Sequence, residues 1–361
     1  MLFVTRGVAV YFCRMIFRPG NFPGKNTVQG ATMRLTESVL ILVLVGGIAA
    51  CGSKDEAKGP SSAAINAGSA GAMEAAKTTA TAEEVAEEAR DDVDCPADIN
   101  TPAPPTGAPV DDVVGVRPGL TWEEAANVVM CTNDLLVVKA DTTRGFQMQT
   151  YGQNIRQGFN ARFAEPRVEK SSQQIMQEMQ DEAMARGGNA VRQDMQPGQS
   201  KWYVGTMGTP GQERVINAAR EEWFAEGRNP TMASVEQALN AKYGTPTAVQ
   251  KSPGQTNLYW SFDPLGRLIT ETSPLFNQCR GTADPNGGVN LSPDCGVTVA
   301  ALLVPTTENP DLAKWLQVGT ANQAAGYEAI SATEQALQQG DNQRKAKEVE
   351  EAGKNADAPQ L

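Results

Sequence analysis

Residues 297–304, VTVAALLV, decide the architecture of this chain because they are apolar on both faces. A strand with this pattern is covered on both sides, so we predict that it lies in the middle of a sheet. Around it, short runs that alternate hydrophobic and polar residues are separated by turns, which is typical of β-hairpins. Capped helices stand between these runs. The sequence therefore predicts an α+β fold in which antiparallel hairpins pack with a few capped helices.

Two hairpins have the clearest patterns. Residues 258–262, LYWSF, place Leu258, Trp260 and Phe262 on one face, and a turn at 263–266 leads to a second strand at 267–270. Residues 201–207 alternate similarly, and a turn at 209–212 leads into 214–224. Residues 214–223, RVINAAREEW, would also suit a helix, but we predict a strand. Further strands are predicted at 135–140, 146–151 and 158–163.

Two helix starts have similar sequences. Thr121 and Glu124 form a capping box, and a helix follows to about Cys131. The start recurs at Thr231, 110 residues later, and that helix is stopped by Gly244. Aligning the two threonines places one apolar set on the other: Val235, Ala238 and Leu239 on Ala125, Val128 and Val129. Two interpretations stay open, a duplicated helix-plus-hairpin unit or two ordinary capped helices.

Two more helical regions are predicted. Ser171 or Ser172 caps a helix that carries Ile175, Met176, Met179 and Ala183 on one side, which we expect to pack against the core. From residue 309 onward the chain is predicted to be helical, with a short helix at 311–316 and a longer one at 321–338. The residues beyond 340 are charged and are predicted to be solvated.

Composition divides the chain into four regions. Residues 1–50 form a signal peptide region, and residues 51–110 contain almost no large apolar side chains, which predicts a disordered tether. Within that tether, residues 81–90 favour a transient helix because they are rich in Glu and Ala. Residues 111–318 are predicted to form the folded α+β region, and residues 319–361 a helical, partly solvated tail.

The net charge of −11 and the absence of histidine exclude several classes of function. Phosphate contacts need clustered Lys and Arg, so we expect no nucleic-acid partner. Without imidazole there is no Ser-His-Asp or Cys-His catalysis and no zinc site with nitrogen ligands. The chain also lacks the common serine-nucleophile and phosphate-binding motifs. We therefore expect no metal, no cofactor and no enzymatic activity.

Four cysteines, beside Cys13 and Cys51, suggest two disulfides. Cys279 and Cys295 flank a segment rich in Gly, Asn, Pro and Asp, which favours a local bridge worth roughly 3 kcal/mol in the loop-entropy model. By elimination Cys95 would pair with Cys131. Three pairings are formally open, and reduced, buried thiols are the alternative.

Residues 33–53, MRLTESVLILVLVGGIAACGS, carry a secretory signal: a charged start at Arg34, an apolar run at 39–45, and small residues after it. Ile48-Ala49-Ala50-Cys51 resembles the lipobox of bacterial lipoproteins at all four positions. That resemblance implies cleavage before Cys51 and acyl chains on this cysteine, which anchor the protein to a membrane. In that class an aspartate after the cysteine favours the inner membrane, whereas Gly52 here implies the outer membrane, on its periplasmic face. We interpret Met33 as the true start; a long signal that includes residues 1–32 is the alternative.

Residues 231–269 resemble the BamE (SmpA/OmlA) family of small outer-membrane lipoproteins, through a helix start, the Gly244-Thr245-Pro246 turn and an aromatic hairpin. Residues 117–121, RPGLT, are still closer to the helix start of that family. The resemblance implies an accessory protein of envelope or outer-membrane assembly that acts by protein–protein contact. Trp202, Tyr259 and Trp260 are then candidate contact residues, because aromatic residues dominate interfaces. The alternative is that they fill the core of their own hairpins.

Two other functions remain open from the residues alone. Glu221, Glu222 and Glu226, close to Trp223, are candidates for a carboxylate-dependent hydrolase or a binder of cell-wall glycan, which would need two carboxylates at a defined separation. The side-chain oxygens between Asp284 and Asp294 suggest calcium binding as a further interpretation, although their spacing fits no EF-hand. A stapled surface loop is the simpler interpretation of that segment.

Overall fold

The computed structural model describes residues 76–90, 93, 95, 107–143, 145–185, 195–355 and 357. Within these residues, five helices and two antiparallel sheets confirm the predicted α+β fold. The elements in chain order are β1 (Lys77–Ala80), α1 (Ala82–Glu88), α2 (Trp122–Met130), β2 (Leu136–Ala140), β3 (Gly158–Phe163), β4 (Arg167–Glu169), α3 (Ser172–Ala185), β5 (Ser200–Met207), β6 (Arg214–Trp223), α4 (Met232–Tyr243), β7 (Ala248–Ser252), β8 (Gln255–Ser261), β9 (Val297–Pro305), β10 (Ala313–Asn322) and α5 (Gln323–Asn355).

The large sheet has eight strands in the order β2-β3-β5-β6-β10-β9-β8-β7. We call β2, β3, β5 and β6 the first half-sheet, and β7 to β10 the second half-sheet. The two meet at a seam where β6 pairs with β10, from Trp223 opposite Trp315 to Asn217 opposite Ala321. The predicted central strand is confirmed, since β9 lies between β10 and β8.

The two half-sheets repeat one order of elements. Thr121 caps α2 and bridges to Arg214 at the start of β6, and Thr231 caps α4 and bridges to Leu312, just before β10. Each helix is thereby tied to the fourth strand of its own half. In both halves the long connection follows the second strand, at residues 164–199 and 262–296. The two helix starts therefore occupy equivalent places in the sheet.

Helices α2 and α4 contribute to one continuous core on one face of the sheet. Trp202 of β5 and Trp260 of β8 lie at its centre with 1% and 0% of their surface exposed. Val129 of α2 and Leu239 of α4 pack into the same cluster, as the apolar patterns of those helices predict. Alternation along each strand sends every second side chain into this core, so the residues between them line the opposite face.

Two strand predictions near the hairpins are wrong. Residues 146–151 form no strand, because β3 is already paired on both sides by β2 and β5. Residues 267–270 do not pair with β8 as a strand; Leu268 makes a single bridge to Phe262. The hairpin partner of β8 is β7, joined to it through a tight turn in which Gly254 has φ 81°.

The short helix predicted at 311–316 is also wrong, because residues 313–322 form strand β10. Leu316 and Val318 point into the helix-covered core, while Trp315 and Gln317 alternate to the other face. Burial of the side chains that alternate between the two faces stabilises a strand here, and this effect is larger than the helix propensity of the neighbouring residues. The strand crosses the predicted domain boundary at residue 318. The helix predicted at 321–338 is confirmed as α5, which begins at Gln323 and continues past the predicted end to Asn355.

Part of the predicted tether is folded onto the first half-sheet. Strand β1 pairs with β4, and Thr81 and Glu84 form a capping box on α1. Ala86 of α1 is 2% exposed and packs with Val137 and Ala164. The helix that the sequence suggested at residues 81–90 is therefore stabilised by tertiary contact, while Cys51 and residues 52–75 lie outside the described residues.

Helix α3 departs from prediction in its packing. Ser171 and Gln174 bond reciprocally at its start, Gln174 N–H to Ser171 Oγ and Ser171 N–H to Gln174 Oε1, as expected for a cap. Its apolar side chains, however, do not pack on the core, since Ile175, Met176 and Met179 are 49%, 59% and 66% exposed. The apolar spacing was read correctly as a helix, but the expectation of burial is wrong.

Candidate interaction face

The face of the sheet opposite α2 and α4 carries the candidate site, and we call it the loop face. A loop closed by the Cys279–Cys295 disulfide, here called the stapled loop (residues 279–295), lies across its centre. Thr282 and Ala283 of this loop sit on Gly319 of β10, where an added Cβ would overlap the Thr282 carbonyl oxygen and lie 3.1 Å from Ala283 Cα. Small residues in the sheet therefore admit the loop backbone.

The sheet register explains this trough. Gly319 lies directly opposite Ala219 on β6 and Ala300 on β9, so three adjacent strands present minimal side chains in one row. Tyr203 and Tyr259 stand at the two ends of that row, opposite Ala219 and Ala300. The stapled loop fills the space between the two tyrosines.

A buried polar network lies in the next row of the loop face. Glu221 accepts hydrogen bonds from Gln317 Nε2 at 2.9 Å and from Trp223 Nε1 at 2.6 Å, and Lys201 Nζ is 3.3 Å from its second oxygen. Gln317 also reaches Asp284 of the stapled loop at 3.4 Å. The side chains of Lys201 and Glu221 are only 9% and 8% exposed. Water therefore solvates their charges little, and the two charges compensate each other.

The last row of the face remains partly open. Trp223, Trp315 and Val304 lie side by side across β6, β10 and β9, and we call them the tryptophan row. All three side chains are half-buried, as is the adjacent Leu302. Trp223 is fixed by its bond to Glu221 and by the Lys314 ammonium, 5.0 Å from its ring centre. Trp315 stands beside this fixed ring without a hydrogen-bond acceptor for its Nε1 among the described residues.

The predicted contact residues separate into two groups. Trp202 and Trp260 are core residues of the opposite face, so their proposed role in partner contact is wrong. Their large apolar side chains are stabilised by burial in the core under their own hairpins. Trp260 also donates Nε1 to the Gly244 carbonyl at 2.9 Å. Tyr259 lies on the loop face, half-buried, with the Arg280 guanidinium 5.3 Å from its ring.

The three candidate carboxylates do not converge. Glu221 points to the loop face, whereas Glu222 points to the helix-covered face, where it accepts from Arg220 Nη1 at 2.7 Å. Glu226 is exposed in the connection after β6. A hydrolase with two carboxylates needs both on one side of a scissile bond, and neighbouring strand residues cannot supply that geometry.

Both disulfides have the predicted pairing. Cys279 and Cys295 are fully buried, and the bridge packs with Ile269, Leu275 and Phe276. Cys95 bridges to Cys131 just after α2, and Arg90 nearby donates to the Met130 and Asn133 carbonyls. The chain entering the fold is thus tied to α2 both covalently and by hydrogen bonds.

A second concave region, of about 800 Å³, is lined by Asp111, Arg117 and Asp263 and by residues of the first turns of α5. Burial raises the pKa of the Asp111 carboxyl, although Arg117 lies 3.0 Å away and acts in the opposite direction. The backbone N–H of Arg267 is the main cause of the lowered pKa of Asp263, whose Oδ1 it reaches at 2.9 Å. The Asp111 carboxylate is thus paired with Arg117, and the Asp263 carboxylate is bonded to Arg267.

The oxygen-rich part of the stapled loop is organised by turns. Asp284 Oδ1 accepts from the backbone N–H and the side-chain amide of Asn286. Over the ranges that the structure covers, no group of three or more acidic or cysteine side chains could hold a metal ion. Nor is any helix in the described part of the chain both long and apolar enough to cross a membrane.

Comparison of the chain with protein-family models, with curated proteins and with solved structures finds no match. The resemblances to bacterial lipoproteins and to the BamE family therefore stay predictions. What the structure itself defines is an α+β protein built on two equivalent half-sheets, with helices α2 and α4 on one face and a stapled loop across the centre of the other.

Sequence reasoning missed the tryptophan row because it placed Trp315 in a helix. The strand alternation of Trp315 and Gln317 with Leu316 and Val318 is the signal that could have found it. The pairing of Trp315 with Trp223 depends on a seam between residues far apart in sequence, which no local pattern shows.

Proposed function

We propose that this protein is a membrane-anchored lipoprotein of the bacterial outer membrane, facing the periplasm, that acts by binding a partner and not by catalysis. The acyl anchor at Cys51 and the contact with an envelope component are the two parts of the proposal. The observation that carries the second part is the tryptophan row: large apolar side chains left half-exposed on the sheet face opposite the helices, beside the stapled loop. Large aromatic residues contribute most of the binding energy in many interfaces.

The construction of the fold fits a display role. The loop face is rigid, because the stapled loop is held by a buried disulfide and the polar network around Glu221 is satisfied internally. A rigid surface loses little conformational entropy on binding. The carboxylates that a hydrolase would need point to opposite faces, which favours contact over chemistry.

The anchor is tested by intact mass spectrometry of the protein from separated inner and outer membranes. The expected species begins at acylated Cys51, is found in the outer membrane, and gains four hydrogens on reduction of its two disulfides. A Cys51→Ser variant should be unacylated and released from the membrane. A soluble, unacylated native chain would refute the anchor.

The contact is tested by placing a photo-reactive amino acid at position 315 in the full chain and irradiating intact cells. We expect a discrete adduct to an envelope component, identified by mass spectrometry. The same amino acid at position 349, on the exposed far part of α5, is the matched control and should not give this adduct. Adducts that are identical at both positions, or none at 315, would contradict a contact role for the loop face.

A further inference from the structure

We infer that the tryptophan row is a glycan platform, on which the Trp315 indole stacks against the apolar face of an N-acetylated, β-linked sugar ring. The inference rests on the proposed function and names the ligand class of the same face. Its starting point is the contrast within the row: Trp223 is fixed by Glu221 and Lys314, whereas Trp315 has no such partners.

The groups around Trp315 match a ring that has one apolar face and polar edges. Val304 and Leu302 lie beside the indole on β9, which widens the apolar area around it. Gln317 lies two residues along the same strand and on the same face, about 7 Å from Trp315 by strand geometry. A sugar ring that carries an acetamido group can span that distance, with its hydrophobic face on the indole.

Hydrogen-bonding capacity is left over at both ends of this span. Trp315 Nε1 is a donor without an acceptor among the described residues, and Gln317 donates through Nε2 to Glu221 and Asp284, which leaves its Oε1 to accept. A hydroxyl group can accept from the first and an acetamido N–H can donate to the second. The side-chain amide is held in one orientation by its two bonds, so it needs no rearrangement to bind.

Charge gives a cationic ligand no carboxylate to pair with at this row. Glu221 is compensated by Lys201 within the buried network, and the Lys314 ammonium is already engaged with the Trp223 ring, 5.0 Å from its centre. Small-molecule sites combine apolar and aromatic side chains with a few well-placed polar groups, and Trp315 with Gln317 beside it offers this combination.

The test uses the full mature chain in detergent and a linear tetramer of β-1,4-linked N-acetylglucosamine as the probe. In nitrogen-edited NMR spectra, the five tryptophans give five indole signals, and substitution assigns that of Trp315. We expect the tetramer to shift the Trp315 signal in a saturable way and to leave the signals of the core residues Trp202 and Trp260 in place. No shift at any concentration would overturn the inference.

Calorimetric titration of variants gives the second readout. Trp315→Ala should weaken tetramer binding by at least about tenfold, and Trp315→Phe should retain part of the affinity because it keeps a ring. Trp122→Phe is the matched control: Trp122 is also half-buried but lies on the helix-covered face against Phe159, so binding should equal that of the native chain. Circular dichroism and the thermal midpoint show whether each variant is folded. If Trp315→Ala does not fold, the shift of the Trp315 signal in the native chain still tests the inference.

The two proposals fail in different ways. If position 315 crosslinks to an envelope protein while the tetramer neither binds nor shifts Trp315, the glycan inference is overturned and the contact function stands. If the tetramer binds equally well to native chain and Trp315→Ala, binding lies elsewhere and the inference is again overturned. If position 315 yields no adduct and no glycan binds, both proposals fail.

Discussion

The two half-sheets share one order of elements but treat their long connection in opposite ways. In the first, residues 164–199 carry β4 and α3, and the apolar side chains of α3 point to solvent. In the second, the stapled loop turns inward and lies on the sheet. The difference teaches that topology sets where a connection starts, whereas the side chains beneath it decide whether it can settle on the sheet.

The row under the stapled loop shows why. Around the seam it consists of Ala219, Gly319 and Ala300, which let a backbone approach closely. In the first half-sheet the same row continues with Tyr203, Asn160 and Lys139, whose larger side chains leave no such trough. A buried disulfide then holds the inward loop in place. The first connection has neither feature.

The largest effect is expected from the buried tryptophan of each half. Trp202→Ala and Trp260→Ala should each lower the free energy of unfolding by about 3–5 kcal/mol, because both leave cavities in the shared core. The phenylalanine variants sharpen the comparison: Trp260→Phe should cost about 1 kcal/mol more than Trp202→Phe, since only Trp260 loses a hydrogen bond. Urea unfolding measures all four, and equal costs for the two phenylalanine variants would contradict the assignment.

Removing the staple is the next largest change. The double variant Cys279→Ser, Cys295→Ser should lose roughly 3 kcal/mol of stability and should expose residues 280–290 to hydrogen exchange. The Cys95–Cys131 bridge closes a longer loop, so its removal should cost slightly more stability, but it should leave hydrogen exchange at 280–290 unchanged. If both double variants released the same segment, the loop would not be held locally.

Gly319→Ala tests whether the small residues of the sheet admit the stapled loop, because it adds a single carbon atom. The added Cβ overlaps the Thr282 carbonyl, so the variant should lose about 1–3 kcal/mol by lifting the stapled loop from the sheet. Gly340→Ala, in α5 with open space around it, is the matched control and should gain about 0.5–1 kcal/mol. A neutral Gly319→Ala would mean that the loop is not seated in the trough.

The entries into the two helices also differ. A tight hairpin closed by hydrogen bonds in both directions between Val113 and Val116 precedes α2, and in it Val114 has φ 45°. A β-branched residue is strained in this left-handed region. Val114→Gly should therefore raise stability by about 1 kcal/mol, measured as a higher thermal midpoint. A loss of stability would show that the partly exposed valine makes packing contacts that outweigh its strain.

The smallest effect belongs to the outward connection. Met176→Gln with Met179→Gln should change stability by less than about 0.5 kcal/mol, because both side chains are largely exposed. Thermal unfolding of the double variant checks this. A loss of 2 kcal/mol or more would mean that α3 packs in solution and that the two connections are more alike than they look.

Local patterns predicted much of the fold but little of the site. Capping residues identified α2 and α4, the apolar run identified β9, and cysteine spacing indicated the staple. The partner of β8 and the identity of β10 depend on which edges remain free once other strands have paired, and that is a property of the whole sheet. The site needed the same information, because Trp223 and Trp315 meet only across the seam.

The seam has a kinetic consequence. Each half-sheet pairs strands from its own stretch of chain, through hairpins and one long connection, but β6 and β10 join residues such as 217 and 321 that belong to different halves. Contacts of this kind form slowly, because the intervening chain must be ordered first. Until they form, each half presents an unpaired inner edge with free N–H and C=O groups, which can pair with another molecule. The interval before the halves join is therefore when this protein is most prone to aggregate, and when a chaperone would help it most.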